Sequence, residues 1–495
     1  MKKNILTNIL TGFVGQFVVI ILGIIIPKLM INAYGSDVNG LVSTVSQIFT
    51  YLALLEAGIG QATRNALYKP IACSNKQDIN EVLQAAKSYF KRITVYYAIG
   101  VIIISAIAPM VIKTNVDKVY VFLIVILEGL SGVISFYYIE TPVIMLNADG
   151  KGYVNNILNL SNKIIAYVIK IIMSMFGVNI ILLQFSYFVI TVAKVIFYNA
   201  YFKKFYPWVC LRPNKSFSIL KDRNSYILTE IAWTIFSSTD MIVISTFIST
   251  QLASVYSIYN MIFSNLNILL NSIANSISYI LGQSYHEDIK KYEKLHDAFT
   301  SMYLGSMTIL MSICYMLTIP FVSLYTKGIT DINYIYPSLP ILFCLVQLLS
   351  WSRNVSGNLT GIAGYAKSTS YISLLEAFTN ITLSIILINK FGIVGVLLAT
   401  VVALPLKVLW CIYISDRKVL HRSYKRTCVI LGGNYVFFFC IVLISHYFKL
   451  EINSYGMFLL WGVILTIVIG GLGAAANIVI NRDLLEIIKK YVLKR

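Results

Sequence analysis

The sequence predicts an all-α polytopic membrane protein of about 14 transmembrane helices, in two pseudo-symmetric six-helix lobes plus two extra C-terminal helices. The first observation is composition: 58% of the 495 residues are hydrophobic and only 12% are charged, about half the charged fraction of a soluble protein. The second is that hydrophobic residues form runs of about 20, the length that a membrane-spanning helix needs. The predicted spans are residues 5–33, 38–62, 92–112, 119–146, 153–175, 178–201, 224–248, 253–281, 299–325, 335–361, 368–389, 391–414, 428–448 and 455–479.

Basic residues mark one side of the predicted membrane. The chain has 40 Lys and Arg against 21 Asp and Glu, a formal net charge of +19. By the span boundaries above, 29 of the 40 lie in alternate connections and the two tails, and only five lie in the opposite connections. Cytoplasmic loops of membrane proteins carry such an excess. We therefore expect both termini on the cytoplasmic side, and the net charge indicates topology rather than binding to nucleic acid.

Two of the predicted cytoplasmic connections have an apolar face at helical spacing. Residues 78–92 place Asp78 and Glu81 in capping-box spacing ahead of an apolar stripe. Residues 287–299 have a similar pattern. We expect both to be amphipathic helices along the inner membrane surface, or alternatively plain solvated loop helices.

Landmarks recur with a period near 215 residues. Lys151 precedes the fifth span as Lys367 precedes the eleventh, and Lys194 has a counterpart in Lys407. Because each repeat has six spans, the two halves would have the same orientation, related by an axis along the membrane normal, and function is expected between them. The predicted domains are residues 1–212 and 213–427, the two six-helix lobes, and 428–495, two further helices with a basic cytoplasmic tail.

Charged residues inside the spans are the first candidate site. A charge at mid-bilayer costs roughly 2.5–3.5 kcal/mol on insertion scales, so it faces water, a ligand or an opposite charge, or snorkels from a span end. For Arg353 the alternative is a structural ion pair. Two carboxylates of the seventh span are candidates for ion coupling. The candidate anion ligands are Lys28, Lys163, Lys170 and Arg353, and the candidate ion-coupling residues are Asp240 and Glu230.

Uncharged polar residues form ladders along two spans. In the eighth span, Asn and Ser residues from Asn260 to Ser278 recur at spacings of three and four, which places them on one helix face. Single residues of this kind serve as helix-packing contacts, but a six-member ladder predicts a hydrophilic wall for hydroxyl-rich cargo. The candidate sugar-binding residues are Asn260, Asn267, Asn271 and Ser43.

The sequence carries no pattern typical of an enzyme. None of the seven cysteines lies in a predicted outer connection, so no disulfide framework is implied. The four histidines have no metal-ligand spacing. There is no phosphate loop, nucleophile elbow or catalytic carboxylate pair. We therefore predict no enzymatic activity, no catalytic residue, no metal and no cofactor.

Three segments carry a family resemblance: YGSDVNGLVSTVSQIFTYLALLEAGIG (34–60), SSTDMIVIS with ASVYSIYNMIFSNL after it (237–266), and PFVSLYTKGITDINYIYPSLPIL (320–342). With the fourteen-span layout, they resemble Wzx-type flippases, in the superfamily that also holds MATE exporters and lipid II flippases. The resemblance implies a central cationic cavity and alternating access in the bacterial cytoplasmic membrane. The implied cargo is undecaprenyl-pyrophosphate-linked oligosaccharide, and membrane lipid, a polysaccharide polymerase and glycosyltransferases are the other implied partners.

Two alternatives stay open. A MATE-like multidrug exporter would have the same fold, but it would export mainly cations and would need a predominantly acidic cavity. A membrane glycan polymerase or ligase would need a large outer loop that carries chemistry, and the predicted outer connections are short.

Overall fold

The computed structural model describes residues 2–56, 59–209, 223–448 and 450–484. Within these ranges, the side chains of residues 2–20, 55, 61, 65, 223–230, 232, 233, 236, 237, 272, 273, 275–280, 283 and 286 fall outside the description. All of the long regular elements in the described part are helices, joined by short connections. They are α1 Lys2–Leu52, α2 Ile59–Ala72, α3 Lys76–Val111, α4 Lys118–Tyr138, α5 Glu140–Ala148, α6 Gly152–Met175, α7 Ile180–Phe205, α8 Arg223–Phe247, α9 Thr250–Glu287, α10 Ile289–Tyr325, α11 Leu339–Ser352, α12 Asn354–Ile362, α13 Ala366–Phe391, α14 Ile393–Ile412, α15 Lys425–Ser445 and α16 Tyr455–Ile480.

The helices have the length and apolarity of membrane spans, which confirms the predicted fold class. Within the described residues, ten helices are long and apolar enough to cross a membrane. The first predicted span and residues 38–52 of the second both fall on α1, which bends at Gly35, where φ is 84° and ψ is 166°. The fourth and tenth predicted spans are broken helices, α4 with α5 and α11 with α12. The chain is thus a multi-pass membrane protein.

The two predicted surface helices are wrong as separate elements. Residues 78–92 are the first part of α3, and residues 289–299 are the first part of α10, each continuing without a break into a span. No Gly or Pro lies between Asp78 and Ile93 to end the helix. The N-cap of α3 is Asn75, whose side chain accepts from the backbone N–H of Gln77 and Asp78, so Asp78 is inside the helix.

The chain divides into two compact units, an N-terminal unit (Met1–Val255) and a C-terminal unit (Tyr256–Arg495). In the N-terminal unit, α3 packs along α4 and α1 along α6, around buried Leu41, Leu83, Phe90 and Val125. In the C-terminal unit, α13 packs along α14, and α10 packs against α11, α15 and α16. The predicted lobe boundaries near residues 212 and 427 stay a prediction.

The same sequence of helix breaks occurs in both units. A broken helix bends at Ile139 in the N-terminal unit and at Arg353 in the C-terminal unit. A glycine with positive φ follows each second half, Gly150 at 70° and Gly364 at 84°. The next helix also ends at such a glycine, Gly177 at 62° or Gly392 at 58°, because glycine adopts this region without steric cost. The predicted internal repeat is supported by this match.

Candidate functional site

The C-terminal unit holds an ion pair among its apolar helices. Arg353 lies at the break between α11 and α12, and its Nη1 donates to Oε1 of Glu376 on α13. The side chains are only 11% and 4% exposed, respectively. Pairing offsets much of the cost of removing each charge from water. The structure therefore places Arg353 in the ion pair that the sequence left open as an alternative, and its role as a pyrophosphate ligand stays a prediction.

Lys407 is the third charged group of this cluster. It lies on α14, which packs along α13, and it interacts electrostatically with both Arg353 and Glu376. Among the described residues, its ammonium group makes no hydrogen bond. One carboxylate and two cations give the cluster a formal charge of +1. Such a group among apolar helices attracts an anion more strongly than it would in water.

Part of the predicted asparagine ladder is hydrogen-bonded to α11, the helix that ends at Arg353. Asn271 Nδ2 donates to Asn267 Oδ1 at 2.8 Å, and Trp351 Nε1 donates to the same oxygen at 3.0 Å. Trp351 is two residues before Arg353, so the helix that contacts the ladder is also the one that ends at the break. Asn260 is half-buried further back on α9. The ladder members Asn275 and Ser278 fall among the side chains outside the description, and sugar binding stays a prediction for all of these residues.

In the N-terminal unit, Lys170 on α6 lies within an aromatic and acidic environment. Its Nζ is 5.5 Å from the centroid of the Tyr187 ring, within the range of a cation–π interaction. It also interacts electrostatically with Glu128 on α4. Lys163, the other candidate anion ligand on α6, is seven residues earlier in the chain, but the two cations have different neighbours in the structure.

Lys163 belongs to a second charged group of the same unit. It is exposed on α6 and interacts electrostatically with Lys194 on α7. Glu140, the first residue after the break between α4 and α5, interacts with Lys194 and with Arg64 on α2. The group therefore combines a carboxylate at a helix break with cations on neighbouring helices.

The other predicted site residues of the N-terminal unit lie on α1 and α8. Lys28 and Ser43 are half-buried on α1. Asp240 on α8 is only 6% exposed and interacts electrostatically with Tyr51, whose hydroxyl is hydrogen-bonded to Thr239. The Glu230 side chain lies outside the described part of the chain. Ion coupling at Asp240 or Glu230 stays a prediction.

Lys87 is a buried cation that the sequence analysis missed. It is 6% exposed, donates to the backbone carbonyl of Tyr137, and lies 3.8 Å from the centroid of that ring and 5.4 Å from the centroid of the Tyr138 ring. Its position in a basic segment predicted to be cytoplasmic made it look like a topology signal. The one available clue was the apolar face that surrounds it on the helix, Leu83, Ala86 and Phe90.

Comparison with known proteins finds matches among solved structures only. No protein-family model matches the chain, and no curated protein sequence matches it. The structure of the lipid II flippase MurJ in an inward closed conformation matches with a TM-score of 0.70 at 16% identity, over 94% of this chain and 98% of that chain. An inward-facing multidrug resistance MATE family transporter of the MOP superfamily matches with a TM-score of 0.66 at 13% identity, over 80% and 97%.

A third match is the MATE multidrug transporter DinF-BH, solved as a complex, with a TM-score of 0.62 at 16% identity, over 84% of this chain and 95% of that chain. The sequence identities are too low to carry function from these proteins. The coverage is nevertheless almost complete for MurJ, so the similarity concerns the whole arrangement and not one helical hairpin. The chain therefore has the polytopic fold that is shared by the lipid II flippase MurJ and MATE transporters.

Proposed function

We propose that this protein flips undecaprenyl-pyrophosphate-linked oligosaccharide repeat units from the inner to the outer leaflet of the bacterial cytoplasmic membrane by alternating access. The product would serve the biosynthesis of a surface polysaccharide such as capsule, O-antigen or exopolysaccharide. The observation that carries the proposal is that a chain with the fold of a lipid II flippase keeps cations among its apolar helices in both units.

The physical problem of flipping such a cargo fits these side chains. Each sugar hydroxyl left without a hydrogen-bond partner in hydrocarbon costs several kcal/mol. Side chains such as Ser43, Asn260 and Asn267 offer donors and acceptors in its place. The pyrophosphate needs cationic donors, which Lys28, Lys163 and Lys170 would supply together with a cation of the Arg353 cluster, while the polyprenyl chain stays in lipid.

An ion gradient would supply the energy. Proton or sodium binding at Asp240 or Glu230 on α8 is the coupling step that we propose. Asp240→Asn removes the charge at nearly constant volume. In proteoliposomes, we expect this variant to bind lipid-linked cargo like wild type but to lose flipping driven by an imposed gradient. Gradient-driven flipping at the wild-type rate would exclude Asp240 as the coupling residue.

The second candidate is a MATE-like multidrug exporter, favoured by the fold that the chain shares with two MATE transporters. The two functions need cavities of opposite charge. An exporter of organic cations needs acidic groups, whereas the cluster of Arg353, Glu376 and Lys407 has a surplus of positive charge.

A deletion strain separates the two candidates. We expect loss of the coding region to abolish surface polysaccharide, with accumulation of lipid-linked repeat units, and to leave resistance to cationic dyes unchanged. Restoration by the wild-type chain but not by Lys163→Gln would tie the function to the charged group on α6. Lys118→Gln, an exposed residue at the start of α4, is the matched control. Normal polysaccharide with lost dye resistance would support the exporter instead.

A further inference from the structure

Both units carry three charged side chains on the same three elements. The first charge lies at the break of the broken helix, and the second lies near the middle of the next helix. The third lies on the helix after that, α7 or α14. In both cases it is fourteen residues after the first residue of the helix, which is Ile180 or Ile393. The N-terminal set is Glu140, Lys163 and Lys194, and the C-terminal set is Arg353, Glu376 and Lys407.

The order of charges differs between the two sets, but their sum does not. Reading along the chain, the N-terminal set is acid, base, base, and the C-terminal set is base, acid, base. Each set contains one carboxylate and two cations, so each has a charge of +1. One cation in each set is neutralised by the carboxylate and the other is surplus.

Geometry identifies the surplus cation in the C-terminal set. Glu376 is in direct contact with Arg353, which holds the helix break against α13. Lys407 has an electrostatic interaction with this pair but no hydrogen bond among the described residues. In the N-terminal set, Glu140 interacts chiefly with Lys194, which leaves the exposed Lys163 as the surplus cation there.

A second side chain of α14, Trp410, also favours a ligand that accepts hydrogen bonds. Trp410 lies three residues after Lys407, a spacing that puts the two side chains on one helix face. Its Nε1 is buried and has no hydrogen-bond partner in the described structure. Buried donors are nearly always satisfied, and phosphate oxygens could satisfy both this N–H and the ammonium group.

We propose that Lys407, and not Arg353, is the anion ligand of the C-terminal unit, and that it binds the diphosphate of the lipid-linked cargo. This inference rests on the proposed function. Arg353 is then a positioning residue: it holds Glu376, which would otherwise neutralise Lys407.

Charge arithmetic gives the expected result for each variant. Lys407→Gln and Arg353→Gln each reduce the set to zero, the first by removing the ligand and the second by freeing Glu376 to pair with Lys407. The double variant Arg353→Gln with Glu376→Gln restores +1, all of it on Lys407. If Arg353 were the ligand, the double variant could not recover binding.

The experiment measures binding of undecaprenyl pyrophosphate to the purified full-length protein in nanodiscs, with undecaprenol as the uncharged comparison and inorganic pyrophosphate as the free anion. We expect Lys407→Gln and Arg353→Gln to weaken binding about tenfold to a hundredfold, the change expected for a lost charge-assisted hydrogen bond. The double variant should bind within about threefold of wild type. Lys390→Gln, an exposed lysine in the last turn of α13, is the matched control.

The outcomes separate this inference from the proposed function. If the wild type binds and Lys407→Gln binds equally well, the role of Lys407 is overturned and the proposed function is not. The same holds if the double variant fails to recover binding while its thermal unfolding midpoint stays near that of the wild type. Lys407→Arg, which keeps the charge, should bind well and guards against a variant that fails to fold. Binding of inorganic pyrophosphate but not of the lipid would contradict the proposed function and support an anion site for a soluble ligand. A wild-type protein that binds neither overturns both.

Discussion

Single buried charges in this chain are held by partners from distant parts of the sequence, and Arg422 is the most fully bonded of those described. Its guanidinium donates to both carboxylate oxygens of Asp297, at 2.6 and 3.0 Å, and to Asp416 at 2.8 Å. The Thr427 hydroxyl donates to the other oxygen of Asp416 at 2.6 Å. Burial alone would lower the pKa of Arg422, but its interactions with Asp297 and Asp416 together outweigh burial and raise the pKa, so the group stays charged.

Removing this guanidinium should destabilise the C-terminal unit strongly. Arg422→Ala leaves Asp416 buried without a counter-charge and leaves Asp297 with only the 3.8 Å contact to Arg426, and breaking a buried pair typically costs about 3–5 kcal/mol. We expect the thermal unfolding midpoint in detergent to fall by several degrees. Arg417→Ala is the matched control, since Arg417 is exposed and lies 5.0 Å from the centroid of the Tyr424 ring. Equal effects of the two substitutions would show that the network does not hold the helices together.

At the scale of one element, the ends of the helices depend on single residues. Gly392 separates α13 from α14 with φ 58° and ψ −138°, a combination that is essentially restricted to glycine. The turn is tight enough that α14 begins at the next residue and runs back along α13. The position of Lys407 relative to Glu376 therefore depends on this turn.

Gly392→Ala should cost about 1–3 kcal/mol of stability because its backbone conformation is strained for any L-residue with a Cβ. Gly361→Ala is the control: it lies in helix α12 with no atom within 4 Å of an added Cβ. Alanine there should be neutral or stabilise the helix by up to about 1 kcal/mol. Thermal unfolding of the two purified variants gives the comparison, and a Gly392→Ala protein as stable as Gly361→Ala would show that the turn tolerates a side chain.

Helices could be predicted from the sequence far better than helix interruptions. Lipid selects long apolar runs, so the spans are visible in composition alone. Continuity between Phe90 and Ile93 was not visible, because a basic pair, Lys91 and Arg92, resembles the end of a span. The break at Arg353 was also hidden. It contains no Pro or Gly, and the residue that stabilises it, Glu376, lies on another helix.

At the scale of the whole molecule, the sequence predicts on which side of the membrane charged residues lie, but not which charged residues pair with each other. Counting Lys and Arg along the chain indicates which connections share a side, and it needs no knowledge of packing. Pairing depends on how each helix is rotated about its axis. Lys163 and Lys170 are seven residues apart, a spacing that favours one helix face, yet Lys170 interacts with Glu128 and Lys163 with Lys194. The same limit made Lys87 unrecognisable as a buried cation.

Membrane topology gives the prediction for the whole chain. The Asp297–Arg422 contact places the first turns of α10 beside the connection between α14 and α15. The connection from Lys327 to Ser338 follows the opposite end of α10, a helix of 37 residues that is about 55 Å long, longer than the hydrocarbon core. Because basic residues concentrate at the first of these ends, we expect it to be cytoplasmic.

Reporters fused to full-length or truncated chains test this arrangement directly. A reporter that works only in the cytoplasm should be active after Arg426 and inactive at Asp331. A reporter that works only outside the cytoplasm should show the reverse. A third, placed after Asp288 at the start of α10, should agree with the Arg426 fusion, since the Asp297–Arg422 contact requires both on one side. Labelling of single cysteines introduced at Asp331 and Ser423 with a membrane-impermeant reagent on intact cells gives an independent measurement, with only the first expected to react. If Arg426 and Asp331 reported the same side, α10 could not cross the membrane, and the fourteen-span interpretation would fail.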